Sequence, residues 1–150
     1  RSNRYVFSAF QDMIAKGSYI NIWGFPYIHS EAEIGAFVEI GSRQDAPTYI
    51  GKCKIQAKVF IPPGITIEDD VFIGPGVMFA NDKHPKANGE WTPLRTIVRK
   101  GASIGMGALI GPGLDIGENA VIGTGAVVLH DIPAGETWIG NPARKLDKKE

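Results

Sequence analysis

The sequence has almost no cysteine, no excess of charge of either sign and no long apolar run. Cys53 is the single cysteine among 150 residues, so neither an internal disulfide nor a cysteine-based metal cluster can form. Sixteen basic and sixteen acidic residues balance, which leaves no overall field to attract nucleic acid or an anionic membrane. No apolar segment approaches the roughly 18 residues that a membrane-spanning helix needs. We therefore expect no nucleic-acid partner, no membrane partner and a cytoplasmic location.

What the sequence does have is a repeat of six residues. A branched or aromatic apolar residue recurs at every sixth position, and a second apolar residue, often smaller, follows four positions after it. The first run is Ile55, Ile61, Ile67, Ile73 and Phe79, and the second is Val98, Ile104, Ile110, Ile116, Ile122 and Val128. A period of six fits neither an amphipathic helix nor a hairpin. It indicates short strands joined by tight turns, repeated along the chain.

Repeating units of this kind must stack, because one unit alone cannot bury its apolar residues. If three units make one coil, residues 18 apart lie one above the other, and the 19 glycines are concentrated at the turns. The pattern predicts an all-β fold, a parallel β-helix over residues 19–146. Residues 1–18 are predicted to form an N-terminal cap with a short helix over 5–16, and residues 147–150 a charged tail.

A polar excursion interrupts the repeat at about residues 80–97. Its prolines, glycine and dense polar residues predict a loop extruded from the solenoid, and long loops in compact domains are usually functional or disordered. Asn81, Asp82 and His84 lie at its root, where the solenoid can still fix their positions. Trp91 offers an apolar anchor farther along. Because aliphatic side chains fill the interior of such a solenoid, we expect the functional residues on this loop.

The repeated units of the form Ile-Gly-x-Gly-Ala/Val resemble those of the hexapeptide-repeat acyltransferases. The closing segment 122–144 resembles them too, with Ile-Gly-Thr-Gly-Ala-Val-Val, then Asp-Ile-Pro-Ala and Gly-Asn-Pro-Ala-Arg. Within that family, residues 67–75 and the pair Asn81-Asp82 look like nucleotide-sugar N-acetyltransferases. The resemblance implies a left-handed parallel β-helix, a homotrimer, and transfer of an acetyl group from acetyl-CoA to the amine of a nucleotide-linked aminosugar used in surface polysaccharides.

The resemblance also implies where the ligands bind. The pantetheine arm of acetyl-CoA is expected on the C-terminal coils, at the positions that match family contacts. These positions are Ser103, Gly105, Met106, Gly123 and Thr124. His130 and Arg144, with Lys145 beside them, are expected to meet the CoA phosphates, which an arginine can bind through two hydrogen bonds. Asn81 and Asp82 are expected to contact the sugar acceptor, or else to form an Asx-type turn that closes the loop. No metal ion is expected.

The dipeptide His84-Pro85 departs from the N-acetyltransferase pattern, which usually has an aromatic residue before the proline. It resembles the galactoside and maltose O-acetyltransferase branch, in which the loop histidine is the general base. A neutral imidazole at pH 7 suits removal of a proton from the acceptor as it attacks a thioester. The acceptor, an amine or a hydroxyl, therefore stays open, and a solvated loop histidine is the alternative to a base.

Two other protein classes share this kind of solenoid. The γ-class carbonic anhydrases need three zinc-binding histidines, two of them close in sequence, whereas His29, His84 and His130 lie far apart. A non-catalytic hexapeptide scaffold is the second alternative. The extruded loop, its histidine and the intact closing segment argue against it.

Overall fold

Short strands make up the whole architecture that the structure describes. The computed structural model describes residues 19–147 and the backbone of residues 5 and 6. The strands are β1 Tyr5–Val6, β2 Asn21–Trp23, β3 Tyr27–His29, β4 Glu33–Ile34, β5 Glu39–Gly41, β6 Tyr49–Ile50, β7 Lys54–Ile55, β8 Phe60–Ile61, β9 Ile65–Ile67, β10 Phe72–Ile73, β11 Met78–Phe79, β12 Thr96–Val98, β13 Ser103–Ile104, β14 Leu109–Ile110, β15 Asp115–Ile116, β16 Val121–Ile122, β17 Val127–Val128, β18 Thr137–Ile139 and β19 Arg144–Lys145. The all-β prediction is confirmed, and no helix occurs within these described residues.

The strands stack into three sheets that form the walls of a solenoid. Sheet I has the order β1-β3-β6-β9-β12-β15, sheet II the order β19-β18-β16-β13-β10-β7-β4, and sheet III the order β17-β14-β11-β8-β5-β2. Consecutive strands pass from sheet III to sheet I to sheet II, so three strands complete one coil. Neighbouring strands pair in parallel except at the two ends, where β1 with β3 and β18 with β19 are antiparallel. The predicted parallel β-helix is confirmed.

The six-residue repeat lines the interior of the solenoid. Ile55 pairs with Ile73 and Ile104 pairs with Ile122, as the predicted stacking of residues 18 apart requires. Twelve isoleucines are fully buried, namely Ile28, Ile40, Ile50, Ile55, Ile61, Ile65, Ile67, Ile73, Ile104, Ile110, Ile116 and Ile122. Burying such a side chain contributes about 1.5–3 kcal/mol to stability. Since these side chains fill the interior, any binding site lies on the outside.

Two loops lengthen their coils at one edge of the solenoid. Ile73 pairs with Ile104, 31 positions on, so the predicted excursion adds 13 residues to a coil of 18. Ile34 pairs with Ile55, 21 positions on, so the loop at 42–48 adds three. Both loops leave sheet III and enter sheet I. We call this edge the loop corner; it comprises residues 24–26, 42–48, 62–64, 80–95, 111–113 and 129–131.

The N-terminal prediction is wrong for its first residues. Tyr5 and Val6, which the sequence pattern assigned to a helix, form β1 against Ile28 and His29, because an extended pair can use the open edge of β3. The remainder of the predicted helix, at 7–18, lies outside the described residues. No helix among the described residues is both long and apolar enough to cross a membrane.

The excursion ends slightly earlier than the sequence pattern indicated. It was predicted to reach residue 97, but β12 already begins at Thr96. The buried Thr96 hydroxyl accepts hydrogen bonds of 3.1 Å from the amides of Gly113 and Leu114 in the next coil. This side chain fixes the point at which the loop rejoins the solenoid.

The corner between sheets I and II is occupied by charged side chains that hold the turns together. Oδ1 of Asp69 accepts a 2.8 Å hydrogen bond from the amide of Lys52, and Oε2 of Glu68 accepts one of 2.7 Å from the amide of Lys100. Cys53 is buried beside them, and this burial raises the pKa of its thiol to about 12. A thiol that stays protonated at neutral pH is neither a nucleophile nor a metal ligand, so these residues stabilise the fold.

Candidate active site

Asn81 anchors the root of the excursion to the preceding coil. Its side-chain amide donates a 2.9 Å hydrogen bond to the carbonyl of Pro63. Its own carbonyl accepts a 2.8 Å hydrogen bond from the amide of Leu94, at the far end of the loop. The side chain is buried. The predicted contact between Asn81 and a sugar therefore remains a prediction, and within the chain Asn81 fixes the loop.

Asp82 holds the backbone of His84 in place. Its Oδ1 accepts a 2.8 Å hydrogen bond from the His84 amide, which is the Asx-type turn named as an alternative role. The His84 side chain is exposed, and its ring forms no hydrogen bond with any residue in 19–147. It lines a cavity of about 220 Å³ together with Asp82, Glu90 and Trp91. The backbone of His84 is thus fixed while its imidazole faces solvent, as a group that must meet a substrate requires.

The distal part of the excursion packs against its own solenoid. The guanidinium carbon of Arg43 lies 5.4 Å from the ring centroid of Trp91, within the range of cation–π contacts. Nη2 of Arg95 donates a 3.1 Å hydrogen bond to the carbonyl of Asp45, and Pro93 is buried. Trp91 therefore anchors the excursion to the loop at 42–48 of the same chain.

A larger cleft of about 620 Å³ lies at the loop corner, beside the first two coils. We call it the aromatic cleft; Phe25, Tyr27, Arg43 and Tyr49 are among the residues that line it. The rings of Tyr27 and Tyr49 stack with centroids 4.9 Å apart and planes 8° apart. Phe25 is 73% exposed. Tyr27 and Tyr49 occupy matching positions in two stacked strands, and the loop at 42–48 forms the other side of the cleft.

Sequence reasoning missed the aromatic cleft. The cluster of Trp23, Phe25 and Tyr27 just before the regular repeats predicts packing at an irregular first coil or between subunits, rather than stacking on a ligand. Arg43 and Tyr49 were not singled out, although the break in the six-residue step across 42–48 was the available signal. A break in the repeat marks a loop, but it does not tell which side chains the loop brings together.

The predicted pantetheine contacts lie together at a second edge, where sheet II meets sheet III. We call this edge the glycine corner; it comprises the stacked turns 74–76, 105–107 and 123–125. The amides of Gly105 and Gly123 donate hydrogen bonds of 2.8 and 2.9 Å to carbonyls of the following coil. The amides of Met106 and Thr124 have no hydrogen-bond partner within residues 19–147. Each of these two stacked turns therefore has one amide without a hydrogen-bond partner in the described part of the chain.

The remaining predicted cofactor residues are only partly brought together. Ser103 is half-buried on β13, directly before the glycine corner. Arg144 is exposed on β19 at the end of the same sheet. Lys145 is paired with Glu136 at 2.8 Å, and this hydrogen bond holds the pKa of the Glu136 carboxyl below its usual range. His130 lies at the loop corner, so within one chain it is separated from the others by the width of sheet III.

The loop corner and the glycine corner lie at opposite ends of the strands of sheet III. Between Gly107 and Gly111 the chain crosses this sheet in four residues, about 13 Å of extended backbone. No residue of the glycine corner lines the cavity beside His84 within the described part of the chain. Within a single chain, the predicted base and the predicted acetyl-CoA contacts therefore lie at opposite ends of the strands of sheet III. Among residues 19–147, no group of three His, Cys, Asp or Glu side chains has the geometry to hold a metal ion.

Comparison with known proteins identifies the repeat. Residues 95–130 match the family described as bacterial transferase hexapeptide (six repeats). No curated protein sequence matches the chain. The match lies in the second run of the six-residue repeat and includes two of the three turns of the glycine corner, and it confirms the hexapeptide repeat.

Solved structures share the fold. A histidine-to-alanine mutant of GDP-perosamine N-acetyltransferase from Caulobacter crescentus, in complex with CoA and GDP-perosamine, has a TM-score of 0.65 and 22% identity over 86% of this chain and 51% of that chain. The chain spans about half the length of that relative. A mutant of AntD, an N-acyltransferase from Bacillus cereus, in complex with dTDP-4-amino-4,6-dideoxyglucose and CoA, has a TM-score of 0.68 and 17% identity over 99% and 92%. Galactoside acetyltransferase in complex with CoA has a TM-score of 0.60 and 25% identity over 87% and 62%.

Proposed function

We propose that this hexapeptide-repeat protein transfers the acetyl group of acetyl-CoA to a sugar, and that the acceptor is the amine of a nucleotide-linked aminosugar destined for surface polysaccharide. The solved structures that share its fold include an N-acetyltransferase with GDP-perosamine and an N-acyltransferase with a dTDP-linked aminosugar, each with CoA. These relatives support the class of reaction and the class of acceptor.

One observation carries the proposal. A loop fixed at both ends presents the exposed imidazole of His84 at one edge of sheet III, and the opposite edge presents the amides of Met106 and Thr124 without partners in the described chain. A general base and a row of backbone donors are what transfer of an acyl group from a thioester needs. A non-catalytic hexapeptide scaffold requires neither an exposed loop histidine nor a row of backbone donors.

In the proposed reaction, His84 removes the proton from the acceptor amine or hydroxyl as its nitrogen or oxygen attacks the acetyl carbonyl carbon. Acetyl-CoA supplies the activated acetyl group, and its sulfur leaves with the bonding electrons. The sulfur then takes the proton from His84, so that the CoA thiol forms and the imidazole is neutral again. The amides of Met106 and Thr124 orient the pantetheine arm, with Ser103, Gly105 and Gly123 beside it. Asp82 holds the backbone of His84, and Arg144 and His130 are assigned to the CoA phosphates.

The proposed site is shared between subunits of a homotrimer. Within one chain, the loop that carries His84 and the glycine corner lie at opposite ends of the strands of sheet III, and the chain needs about 13 Å of extended backbone to cross this sheet. Packing the loop corner of one subunit against the glycine corner of another brings both halves together at three equivalent places. Light scattering that shows a monomer at assay concentration would contradict the shared site.

O-acetylation of a sugar hydroxyl is the second candidate, and the dipeptide His84-Pro85 favours it. A hydroxyl keeps its proton at neutral pH and depends on a base for attack, whereas an amine can lose its proton to water before it reacts. The fold likeness to galactoside acetyltransferase is in keeping with this candidate.

Release of the CoA thiol from acetyl-CoA tests both candidates. The acceptors are nucleotide-linked 3-amino and 4-amino sugars in one set and unlinked sugars in another. Because Cys53 is buried and its thiol pKa is raised to about 12, the protein's own thiol contributes little to a thiol-reactive readout. We expect turnover with at least one nucleotide-linked aminosugar. No turnover with any acceptor, together with no acetyl-CoA binding by calorimetry, refutes the proposal.

A further inference from the structure

The aromatic cleft contacts the loop that holds His84 through one pair of side chains. Arg43 lines the cleft, and its guanidinium carbon lies 5.4 Å from the ring of Trp91. Trp91 in turn lines the cavity beside His84. The contact between Arg43 and Trp91 therefore stands between the cleft and the proposed site of chemistry, so the two cavities are neighbours on one corner.

The walls of the cleft suit a flat ring. Tyr27 and Tyr49 stack with centroids 4.9 Å apart and form a two-ring wall on sheet I. Phe25, which is 73% exposed, stands at the same corner. Aromatic side chains bind nucleobases by stacking, whatever the base. The volume of about 620 Å³ lies within the roughly 300–1,000 Å³ that is usual for small-molecule sites.

The charge between the two cavities suits a diphosphate. Arg43 forms a 2.7 Å ion pair with Asp45 that is open to solvent on both sides. Arg95, whose Nη2 donates to the Asp45 carbonyl, places a second guanidinium on the same loop corner. Counted by themselves, these two arginines and one carboxylate carry one net positive charge, and Asp82, Lys86 and Glu90 line the neighbouring cavity. A guanidinium can bind phosphate oxygens through paired hydrogen bonds.

From these three features we propose that the aromatic cleft binds the nucleoside of the nucleotide-linked sugar and that Arg43 binds its diphosphate. The order cleft, Arg43, His84 cavity matches the order nucleoside, diphosphate, sugar along such a molecule. This assignment rests on the proposed function, since it is the acetyl acceptor that carries the nucleotide. Phe25 and Arg43 then determine which acceptors are used, and they take no part in the proton transfer.

Two substitutions test the assignment in the full-length protein. Phe25→Ala removes a stacking ring, and Arg43→Gln removes the charge while keeping a hydrogen-bonding side chain of similar length. We expect each to raise KM for the nucleotide-linked aminosugar by about tenfold or more, as the loss of one stacking or charged contact does. KM for acetyl-CoA and kcat are expected to stay near their original values.

A matched control separates this effect from a general loss of surface aromatics. Phe37 is also exposed on an N-terminal coil, where its ring stacks on Tyr19 at 5.3 Å, but it does not line the cleft. Phe37→Ala is expected to leave KM for the acceptor unchanged. Equal KM values for Phe25→Ala, Arg43→Gln and the unaltered protein overturn the assignment.

Direct binding of dTDP, UDP and GDP, measured by calorimetry without acetyl-CoA, distinguishes failure of this assignment from failure of the proposed function. If no acceptor is acetylated but Phe25→Ala weakens binding of a nucleoside diphosphate, the proposed function is wrong and the cleft assignment stands. If unlinked sugars are acetylated as well as nucleotide-linked ones and no nucleoside diphosphate binds, acetyl transfer stands and the cleft assignment is wrong.

Discussion

The side-chain amide of Asn81 donates a 2.9 Å hydrogen bond to the carbonyl of Pro63 and so fixes the root of the excursion to the coil before it. The bond joins residues 18 positions apart, which is one coil of the solenoid. It explains how a long polar loop can present His84 at a defined place, because the loop begins from a buried residue whose side-chain amide and backbone carbonyl are both hydrogen-bonded. The solenoid thus fixes the position of the first residues of the loop.

Replacing Asn81 should loosen this root. Asn81→Leu leaves the Pro63 carbonyl without its donor, and an unsatisfied buried acceptor costs about 1–3 kcal/mol. Asn81→Asp places a carboxylate oxygen against that carbonyl and should cost more. Urea unfolding measures the loss of stability, and kcat should fall with it because His84 is no longer held. Equal stability for all three proteins would show that the hydrogen bond does not fix the loop.

Removing the imidazole tests the proposed base. His84→Ala should lower kcat by about 10²–10⁴, the usual contribution of a positioned general base, with KM for acetyl-CoA unchanged. Lys83→Ala changes the exposed neighbouring residue in the same loop and is the control, and its kcat should be close to that of the unaltered protein. If His84→Ala retains full activity on an amine, the base assignment is wrong while the acetyltransferase class stands.

Two glycines of one turn should respond differently to a methyl group. A Cβ on Gly105 would lie 2.6 Å from the amide nitrogen of Thr124, so the backbone of the next coil has to move. A Cβ on Gly107 meets nothing within 4 Å, and only its φ of +69° is strained, at a cost of about 1–2 kcal/mol. Gly105→Ala should therefore be the less stable variant in urea.

The same pair of variants examines the acetyl-CoA contacts. Gly105→Ala displaces the Thr124 amide and should raise KM for acetyl-CoA, whereas Gly107→Ala should leave it nearly unchanged once stability is taken into account. An equal KM for both variants would argue against binding of the pantetheine arm at the Thr124 amide.

The pair of Arg99 and Asp115 makes stability depend on pH in acid. Nε and Nη2 of Arg99 donate hydrogen bonds of 2.9 and 2.7 Å to the two carboxylate oxygens, and these hold the pKa of Asp115 below its usual range. A lowered folded-state pKa gives stability that is present above the unfolded-state value of about 4 and is lost as pH falls through the lowered value. Unaltered protein should exceed Asp115→Asn in unfolding free energy at pH 7, and the difference should shrink below about pH 4.

Glu33→Gln removes one partner of an exposed ion pair with Lys54 and is the control for the pH dependence of the unfolding free energy. Its difference from unaltered protein should be small and nearly flat with pH, because isolated surface pairs contribute little. A difference for Asp115→Asn that is constant from pH 7 to pH 3 would contradict the role assigned to the ion pair.

The fold was predictable from the sequence because its rule is local. Each sixth residue points inward, and this alone identifies the strands, the turns and the stacking of Ile55 on Ile73. The excursion was visible as a break in that rule. Its exact end at Thr96 was not, because it depends on hydrogen bonds between a hydroxyl and the amides of another coil.

The candidate site was predictable only in part. The resemblance picked out His84 and the turns at Gly105 and Gly123, and the structure brings the turns together at one corner. Which amides of those turns lack partners was not visible in the sequence, since the two glycine amides bond to the next coil while those of Met106 and Thr124 do not.

The sequence by itself determined that this chain is a β-solenoid of hexapeptide repeats with one long loop near its middle, because a six-residue period has few other ways to bury its apolar residues. Only the tertiary structure decided that Asn81 is bonded to Pro63, that His84 and the turns proposed to bind acetyl-CoA lie at opposite ends of the strands of one sheet, and that Phe25, Arg43 and Trp91 lie at one corner. The physical reason is that stacking brings together residues one or more coils apart, and the inserted lengths of the loops decide which ones meet.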